Sequence, residues 1–262
     1  MSVYVGVRSV AKKIDKLYVG DGAGIARAVQ KAYVGDPRGV AELWYQRNSP
    51  LGSLAVGSSV FFAVDRVKVE WLVAHQGLPG DMYDASCNGT WLLCKDVYAS
   101  KQWSSSVKNN YLSSNIRSYL DSTFFNSIDS SVSGLVKRVK IPYRGSSAVS
   151  GGASGLASKV FPLSAAEVNF KYSGRPDEGA CLEYFKDCAA TGADSTRVAN
   201  YNGAPEAWWL RTPDTGTSNS AVLVLNTGAK GITNVATFHG VRPALVLPQD
   251  ALVDGNRNVI GG

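Results

Sequence analysis

From residue 54 onward the chain alternates apolar and polar residues in short runs, which is the pattern of half-buried β-strands. Two such runs, Val60–Val64 and Val67–Ala74, flank Asp65 and Arg66, so we expect a hairpin there. Trp91–Cys94 is a continuous apolar run and predicts a strand that is buried on both faces. The segment "VKRVKIPY" predicts a further strand.

One segment instead has helical spacing. In "SSNIRSYLDSTFFNSI", Ile116, Leu120, Phe124 and Ile128 recur every four residues, and Ser113 or Ser114 is placed to cap the first turn. A second, short helix is expected in "DEGACLEYFKD". The chain then ends in two or three antiparallel strands with a hairpin at 226–228. Strands from both ends of the domain around a helix predict an α+β fold.

The first 48 residues are different, because they contain an internal repeat. Tyr-Val-Gly recurs at Tyr4, Tyr18 and Tyr33, each time followed by a turn and a short apolar element. No single unit can bury its hydrophobic face alone, so the units must stack on each other or on another subunit. A three-unit cap on the next domain and a docking or oligomerisation module both fit this pattern; the local excess of positive charge favours the module.

The repeat predicts a chain of two parts. Residues 1–48 form the repeat module, "QRNSPLGS" is a linker, and residues 54–262 form one larger domain. The Gly- and Ser-rich segment 145–158 is expected to be a flexible surface insert of that domain rather than a boundary, because strand and helix patterns resume after it.

Two segments near the C-terminus combine apolar residues with an arginine that stands one or two positions before a proline, and we call them the clamps. They are "WWLRTP" (Trp208–Pro213) and "GVRPAL" (Gly240–Leu245). The indole N–H groups of Trp208 and Trp209 require acceptors when buried. Arg211 and Arg242 are expected to bind several backbone carbonyls or a carboxylate; contact with a ligand is the alternative. The clamps enclose a polar segment, 214–239.

Charge and composition narrow the choice of function. The chain has 27 Lys and Arg against 21 Asp and Glu, giving a net charge of +6, and most of the excess lies in the repeats. It lacks the dense basic stripe of a nucleic-acid groove, so we expect no nucleic-acid partner. The N-terminal sequence has no apolar core of signal-peptide length and no later run reaches membrane-span length. We therefore expect synthesis in the host cytoplasm and no membrane insertion.

Searches for catalytic patterns find little. The sequence contains no phosphate-binding loop and no G-x-S-x-G motif, and a Ser-His-Asp triad would have to use His75 or His239. The acidic pair Asp177–Glu178 is expected on a solvated loop. Four cysteines, at 87, 94, 181 and 188, lack the spacing of a zinc site and are expected to be free or buried thiols. We expect no enzyme, no metal and no cofactor.

Five motifs in order resemble a known family. "VEWLVA", "LSSNIRSYL", "VFPLSAAEV", "WWLRTP" and "GVRPAL" extend over residues 54–248 and resemble the C-type-lectin-like domains of the formylglycine-generating-enzyme type. In particular, they resemble the domains that end the variable proteins of phage tails and diversity-generating retroelements. The Tyr-Val-Gly repeat is similar to N-terminal segments of phage structural proteins that carry such domains.

This resemblance implies a binding function. The late cysteine pair of the enzyme members and the acidic triplets of calcium-dependent lectins are missing, so neither catalysis nor calcium is carried over. In diversified members the altered codons lie between the two clamps and cannot encode Lys, Gln, Glu, Met or Trp. From Asp214 to His239 only Lys230 belongs to that set.

The predicted ligand surface therefore lies between the clamps. Strand parity places Val222 and Val224 inward and Leu223 and Leu225 outward. Phe238, a large aromatic residue in a polar setting, is the expected centre of binding energy; an ordinary polar hairpin is the alternative for the whole region. The predicted ligand-binding residues are Thr215, Thr217, Asn219, Leu223, Leu225, Thr233, Asn234, Thr237, Phe238 and His239.

These expectations favour a phage tail protein that recognises a protein or glycan on the bacterial surface. Its repeats would dock onto other tail proteins or form a homo-oligomer, for which we expect a trimer. The virion is the expected location. A purely structural virion protein and an enzyme of the same fold, acting on surface glycans or thiols, are the alternatives.

Overall fold

Strands dominate the computed structural model of this protein. It describes residues 48–145, 148–171 and 176–261, together with the backbone of four strands between residues 18 and 46. Most strands pair in antiparallel sheets, and the helices are few and short. The architecture is compatible with a mainly-β or an α+β class.

Contacts divide the chain into two units, Met1–Ser49 with Asp254–Asn256, and Pro50–Val253 with Arg257–Gly262. In the first unit β1 (Tyr18–Gly20) pairs with β2 (Ala26–Ala28), and β3 (Lys31–Gly35) pairs with β4 (Ala41–Gln46). The second and third Tyr-Val-Gly sequences therefore lie in strands, whereas the first lies outside the described residues. The docking role of this module stays a prediction.

The first large sheet of the second unit contains the predicted hairpin. Asp65 and Arg66 both have positive φ, 51° and 65°, which is the backbone of a tight two-residue turn. All pairs in this sheet are antiparallel. Its strands, in spatial order, are β14 (Val160–Phe161), β21 (Ala244–Leu247), β8 (Gly89–Cys94), β7 (Val67–Gly77) and β6 (Ser59–Val64).

The second large sheet contains the first clamp and the start of the second, whose Ala244 and Leu245 lie in β21 of the first sheet. Its pairs are antiparallel except the pair formed by Trp208 and Gly240, which is parallel. A hairpin turn, in which Gly228 has a φ of 80°, joins the strand Ser220–Val224 to the strand Lys230–Asn234. The strands, in spatial order, are β19 (Lys230–Asn234), β18 (Ser220–Val224), β17 (Trp208–Pro213), β20 (Phe238–Val241) and β9 (Ala99–Gln102).

Short strands complete the unit. Two of them lie in the segment 145–158 that we expected to be a flexible insert, so the described part of that segment is ordered as strands and a 3-10 turn. Gly155 allows it, since a side chain there would meet the carbonyl oxygens of Lys140 and Ile141. The short strands are β5 (Ser49–Pro50), β10 (Val139–Ile141), β11 (Tyr143–Arg144), β12 (Val149–Ser150), β13 (Leu156–Ser158), β15 (Ala199–Tyr201), β16 (Ala204–Glu206), β22 (Leu252–Val253) and β23 (Val259–Ile260). Among them, β10 pairs with β13, β11 with β12, β15 with β16 and β22 with β23.

The main helix begins where the sequence predicts. The Ser114 hydroxyl accepts from the Arg117 amide at 3.2 Å, and all four residues of the predicted apolar stripe are buried. Its middle, Tyr119–Phe124, is π-helical between α1 (Asn115–Ser118) and α2 (Phe125–Ser127). α3 (Ser130–Ser133) follows. The second expected helix is only a 3-10 turn, Glu183–Phe185; others are Leu51–Ser53, Ala85–Cys87, Tyr111–Ser113, Gly152–Ser154 and Ser195–Arg197.

Two hydrophobic clusters form the core, and the central strands contribute to both. In β18, Ala221 and Leu223 belong to one cluster, while Val222 and Val224 belong to the other. β17 divides in the same way, with Trp209 in the first cluster and Trp208 in the second. The prediction that Leu223 faces outward is therefore wrong: its sheet is covered on both faces, and its side chain is only 1% exposed.

Candidate functional site

The two tryptophans of the first clamp are fully buried on opposite faces of β17. Trp208 donates from Nε1 to the carbonyl oxygen of Arg197 at 2.9 Å. Trp209 donates to the carbonyl oxygen of Lys101 at 3.0 Å. Each indole therefore fills a core and at the same time ties β17 to another segment of backbone.

Arg211 lies in a closed polar network. Its guanidinium donates to both carboxylate oxygens of Glu167 at 2.6 Å and to the carbonyl oxygens of Pro142 and Pro162 at 3.1 and 3.0 Å. Glu178 lies 3.6 Å from its Nε. Because Arg211 is fully buried and binds Glu167 and two backbone carbonyl oxygens, it acts here as a structural cross-link between β17 and the loops that follow β10 and β14.

Glu178 is not on a solvated loop, and the expectation that it would be is wrong. It is 2% exposed and accepts hydrogen bonds from the Arg144 amide at 2.9 Å and the Thr212 hydroxyl at 2.5 Å. Burial raises the pKa of Glu178, because it outweighs the opposing effect of Arg211. Nothing in the local sequence distinguishes Glu178 from the preceding Asp177, which is partly exposed.

Arg242, in the second clamp, has a different set of partners. It donates to the carbonyl oxygens of Cys94 and Lys95 at 2.8 and 2.9 Å, and its guanidinium lies 4.9 Å from the ring of Trp208. Burial lowers the pKa of Arg242 to about 10. The second clamp thus holds the end of β8 next to the first clamp.

A third buried arginine, Arg197, was not identified from the sequence. It donates to the carbonyl oxygens of Val168 at 2.8 Å and Gly228 at 3.2 Å, and it also bonds to Ala189. Its charge lies 4.2 Å from the ring of Phe170. Arg197 therefore fixes the β18–β19 hairpin. No proline or tryptophan stands beside it in the sequence, so the feature that marked the other two arginines is missing.

The loop between β17 and β18 is held by Asn109, a residue from outside the loop. The Asn109 side-chain amide lies 2.6, 2.9 and 2.8 Å from the carbonyl oxygens of Asp214, Thr217 and Ser220, and its backbone N–H donates to Ser218 at 2.9 Å. Inside the loop, Asp214 accepts from the amide and hydroxyl of Thr217 at 3.0 Å each. The loop backbone is therefore fixed mainly through carbonyl groups, which every residue type has.

A turn between β19 and β20 lies beside this loop. Val235 donates from its amide to the carbonyl oxygen of Asn219 at 2.9 Å, and Asn234 closes the turn by accepting from the amides of Ala236 and Thr237. Phe238 follows and is 63% exposed. We call residues 214–219 and 234–239 the loop–turn surface; its loop side borders a cleft of about 390 Å³ that Lys108, Asn109 and Asn110 also line.

His239 lies at the edge of the loop–turn surface and is partly buried. Its ring meets Trp209 edge-on at 5.1 Å, and its Nδ1 lies 3.9 Å from a carboxylate oxygen of Glu206. Burial lowers the pKa of His239 more than Glu206 raises it. His239 is consequently neutral over most of the physiological pH range and becomes charged in acid.

The structure brings most of the predicted ligand residues together, but not all. Leu223 lies in the core. Leu225, 37% exposed, lies at the opposite end of β18, in the hairpin that Arg197 holds. Thr233 is half-buried opposite Ala221. The remaining seven belong to the loop–turn surface: Thr215, Thr217, Asn219, Asn234, Thr237, Phe238 and His239.

The sequence candidates for catalysis have ordinary structural positions. His75 accepts from the amide of Glu183 at 3.3 Å, and burial lowers its pKa. All four cysteines are free thiols, and burial raises the pKa of Cys87 and Cys181 to about 11. Among the described residues no group of His, Cys, Asp and Glu is arranged to hold a metal ion. The described part also contains no helix that is long and apolar enough to cross a membrane.

Comparison with known proteins identifies one family. The model of a family described as a domain of unknown function, DUF6273, matches residues 88–249, which include both clamps and the loop–turn surface. No curated protein and no solved structure matches the chain.

Proposed function

We propose that this chain, which belongs to the DUF6273 family, is a ligand-binding module that uses its loop–turn surface to recognise a ligand on a bacterial cell. In this proposal the C-terminal domain has a C-type-lectin-like fold, and the protein is a receptor-binding component of a phage tail. The ligand is a surface protein or glycan.

One observation carries the proposal: the β17–β18 loop is held largely through its backbone carbonyl groups, so the exposed side chains of Thr215 and Ser218 are not needed to keep its shape. Asn109 binds the loop through backbone carbonyls, and Asp214 together with Thr217 closes it from inside. The side chains of Thr215 and Ser218 make no hydrogen bond in the described structure. A loop held in this way presents variable side chains from a constant backbone, as antibody loops do.

Phe238 supports the same proposal. Its side chain is 63% exposed, so the ring is accessible to a ligand. It follows a turn that already uses the polar groups of Asn234 and Thr237. Large aromatic residues in such rigid, partly polar settings are frequent centres of binding energy.

The resemblance of the five ordered motifs to phage and retroelement variable proteins supports the tail location and the bacterial ligand. It also supports a docking role for residues 1–48. A homo-oligomer, for which a trimer is our proposal, would convert weak single-site contacts into strong attachment. The mass of the full-length protein in solution tests the oligomer directly.

The binding function is tested by the attachment of the labelled full-length protein to a panel of bacterial strains. The variant Thr215→Ala/Ser218→Ala/Phe238→Ser is compared with the matched control Thr123→Ala/Ser130→Ala/Leu252→Ser, which changes exposed residues elsewhere. We expect the first variant to keep its melting temperature and lose attachment, and the control to keep both.

Three results would contradict the proposal. Attachment that survives in the first variant would place recognition elsewhere. Failure of the unaltered protein to bind any strain while it still assembles into particles would favour a structural virion protein. Turnover of a surface glycan or thiol substrate, lost on replacement of His75, would favour an enzyme.

A further inference from the structure

A second cleft, of about 430 Å³, lies between the start of β7, the β8–β9 connection and the β15–β16 hairpin. None of the residues of the loop–turn surface lines it. We propose that this cleft is a separate, metal-independent binding site for an uncharged, hydroxyl-rich ligand, namely a segment of a neutral oligosaccharide. The side chains that enter the argument are those of Lys68, Glu70, Lys95, Asp96, Tyr98, Tyr201 and Asn202.

The walls of the cleft are fixed to one another by hydrogen bonds. Val97 donates from its amide to the carbonyl oxygen of Asn200 at 2.9 Å, and the amide of Asn200 donates to the Asp96 carboxylate at 3.0 Å. Lys95 is bonded through its amide to the carbonyl oxygen of Glu70 at 3.0 Å. The cleft is thus preformed, which removes an ordering cost from binding.

The hairpin at one wall presents a free amide. Asn202 and Gly203 have φ values of 52° and 85°, as in a tight two-residue turn. This backbone leaves the Asn202 side chain exposed, and it has no hydrogen-bond partner in the described structure. A side-chain amide both donates and accepts, as a sugar hydroxyl does.

Two tyrosines supply flat apolar area. Tyr98 is held in place, because its hydroxyl donates to Asp65 at 2.8 Å and its ring meets Phe124 edge-on at 4.8 Å. Tyr201 precedes the turn and is half-buried. Tyrosine side chains give contact area at a low cost in conformational entropy, and the C–H faces of sugar rings are apolar surfaces that such rings can cover.

The charges of the cleft disfavour an ionic ligand. Lys68 and Lys95 are balanced by Glu70 and Asp96, so a phosphate or carboxylate ligand gains no net attraction. The ammonium of Lys95 lies 3.0 Å from the carboxylate of Glu70. Such a pair offers a donor and an acceptor side by side, which matches two neighbouring hydroxyl groups that each accept and donate.

The test uses the full-length, isotope-labelled protein and follows backbone amide resonances by NMR. The neutral probes are cellotriose, maltotriose, mannotriose and N-acetylchitotriose, and a hyaluronan tetrasaccharide is the anionic probe. We expect at least one neutral probe to shift the amides of residues 200–203. Tyr201→Ala should weaken its affinity about tenfold, or ~1.4 kcal/mol, whereas Tyr201→Phe should retain it.

Two control variants make the result specific. Tyr143→Ala removes a half-buried tyrosine from β11, outside the cleft, and should leave the affinity unchanged. Phe238→Ser alters the loop–turn surface and should also leave oligosaccharide affinity unchanged, so the two proposed sites can fail independently. The proposal is overturned if no neutral probe shifts residues 200–203, if the anionic probe binds more tightly, or if Tyr143→Ala weakens binding as much as Tyr201→Ala.

Discussion

Arg197, Arg211 and Arg242 are all buried, and they have different kinds of partner. Replacing each of them should therefore destabilise the protein to a different degree. Arg211 is paired with the carboxylates of Glu167 and Glu178, whereas Arg197 and Arg242 are bonded through backbone carbonyl oxygens. When one member of a buried ion pair is replaced by a neutral residue, the other member stays buried as an unpaired charge, which is strongly destabilising. The consequences of substitution should therefore be largest at Arg211.

Arg211→Met should lower the free energy of unfolding by about 3–5 kcal/mol, because it leaves Glu167 and Glu178 buried without a counter-charge. The double variant Arg211→Met/Glu167→Gln should recover part of this loss. Urea denaturation measures both. Arg66→Met, at an exposed turn, is the control and should change stability by less than about 0.5 kcal/mol; a similarly small effect at Arg211 would show that the network is solvated.

Asn109 is a second residue whose replacement should have a large effect on stability, because its side-chain amide lies within hydrogen-bond distance of three carbonyl oxygens of the β17–β18 loop. Asn109→Ala should cost about 1–3 kcal/mol and increase hydrogen exchange in residues 214–220. Asn110→Ala, which removes only the neighbouring cap to Leu112, is the comparison. Equal exchange in the two variants would mean that Asn109 does not fix the loop.

At the scale of single elements, β18 shows a limit of predicting the buried face of a strand from its pattern of apolar and polar residues. The sequence "SAVLV" reads equally well as a strand with one apolar face or as a strand buried on both faces. Packing against both faces of its sheet decides for the second: residues 221–224 are buried, whereas Ser220 at the start of the strand and Leu225 just past its end are partly exposed. The segment 145–158 shows the same limit, since its composition resembles a flexible loop while its described part pairs with β10 and β11.

Substitutions in β18 test this assignment. Leu223→Ala should lower the free energy of unfolding by about 2–5 kcal/mol, as for a large residue lost from a packed core. Leu225→Ala should cost under about 1 kcal/mol, because the side chain already contacts water. Thermal or chemical denaturation of both variants gives the comparison. Equal costs would restore the outward orientation of Leu223.

At the scale of the whole molecule, both histidines lie in partly buried sites that lower the pKa of each below the ordinary value of about 6.5. As the pH falls through about 6.5, these two histidines therefore take up protons more readily in the unfolded chain than in the folded chain. Folding stability should therefore decrease on acidification from about pH 7 to the lowered pKa values.

The variant His75→Gln/His239→Gln should flatten the pH dependence of stability in that window. The carboxylates with lowered pKa values, such as Asp194 and Glu70, lose their stabilising effect only at lower pH. Glu178, whose pKa is raised by burial, acts in the opposite direction, but it is present in both proteins and cancels when their pH dependences are compared. Urea denaturation at pH 5, 6 and 7 provides the measurement. If the free energy of unfolding changed between pH 6 and 7 as much in the variant as in the unaltered protein, the two histidines would not be the cause of the pH dependence.

The sequence by itself determined the elements whose signals are local. The hairpin at Asp65 and Arg66, the helix capped by Ser114 and the strand Gly89–Cys94 all follow from neighbouring residues, because turn geometry, capping and apolar runs act over a few positions. The seven predicted ligand residues of the loop–turn surface were chosen by their position between the clamps, and their role in binding stays a prediction.

Only the tertiary structure decided which side chains meet across the sequence. Glu167 and Glu178 reach Arg211 from more than thirty positions away, Asn109 reaches the β17–β18 loop from over a hundred, and Arg197 reaches Gly228. The same long-range packing placed Leu223 in the core and formed the cleft beside Tyr201. The burial of a strand depends on which other segments cover its two faces, and the sequence of the strand itself does not show this.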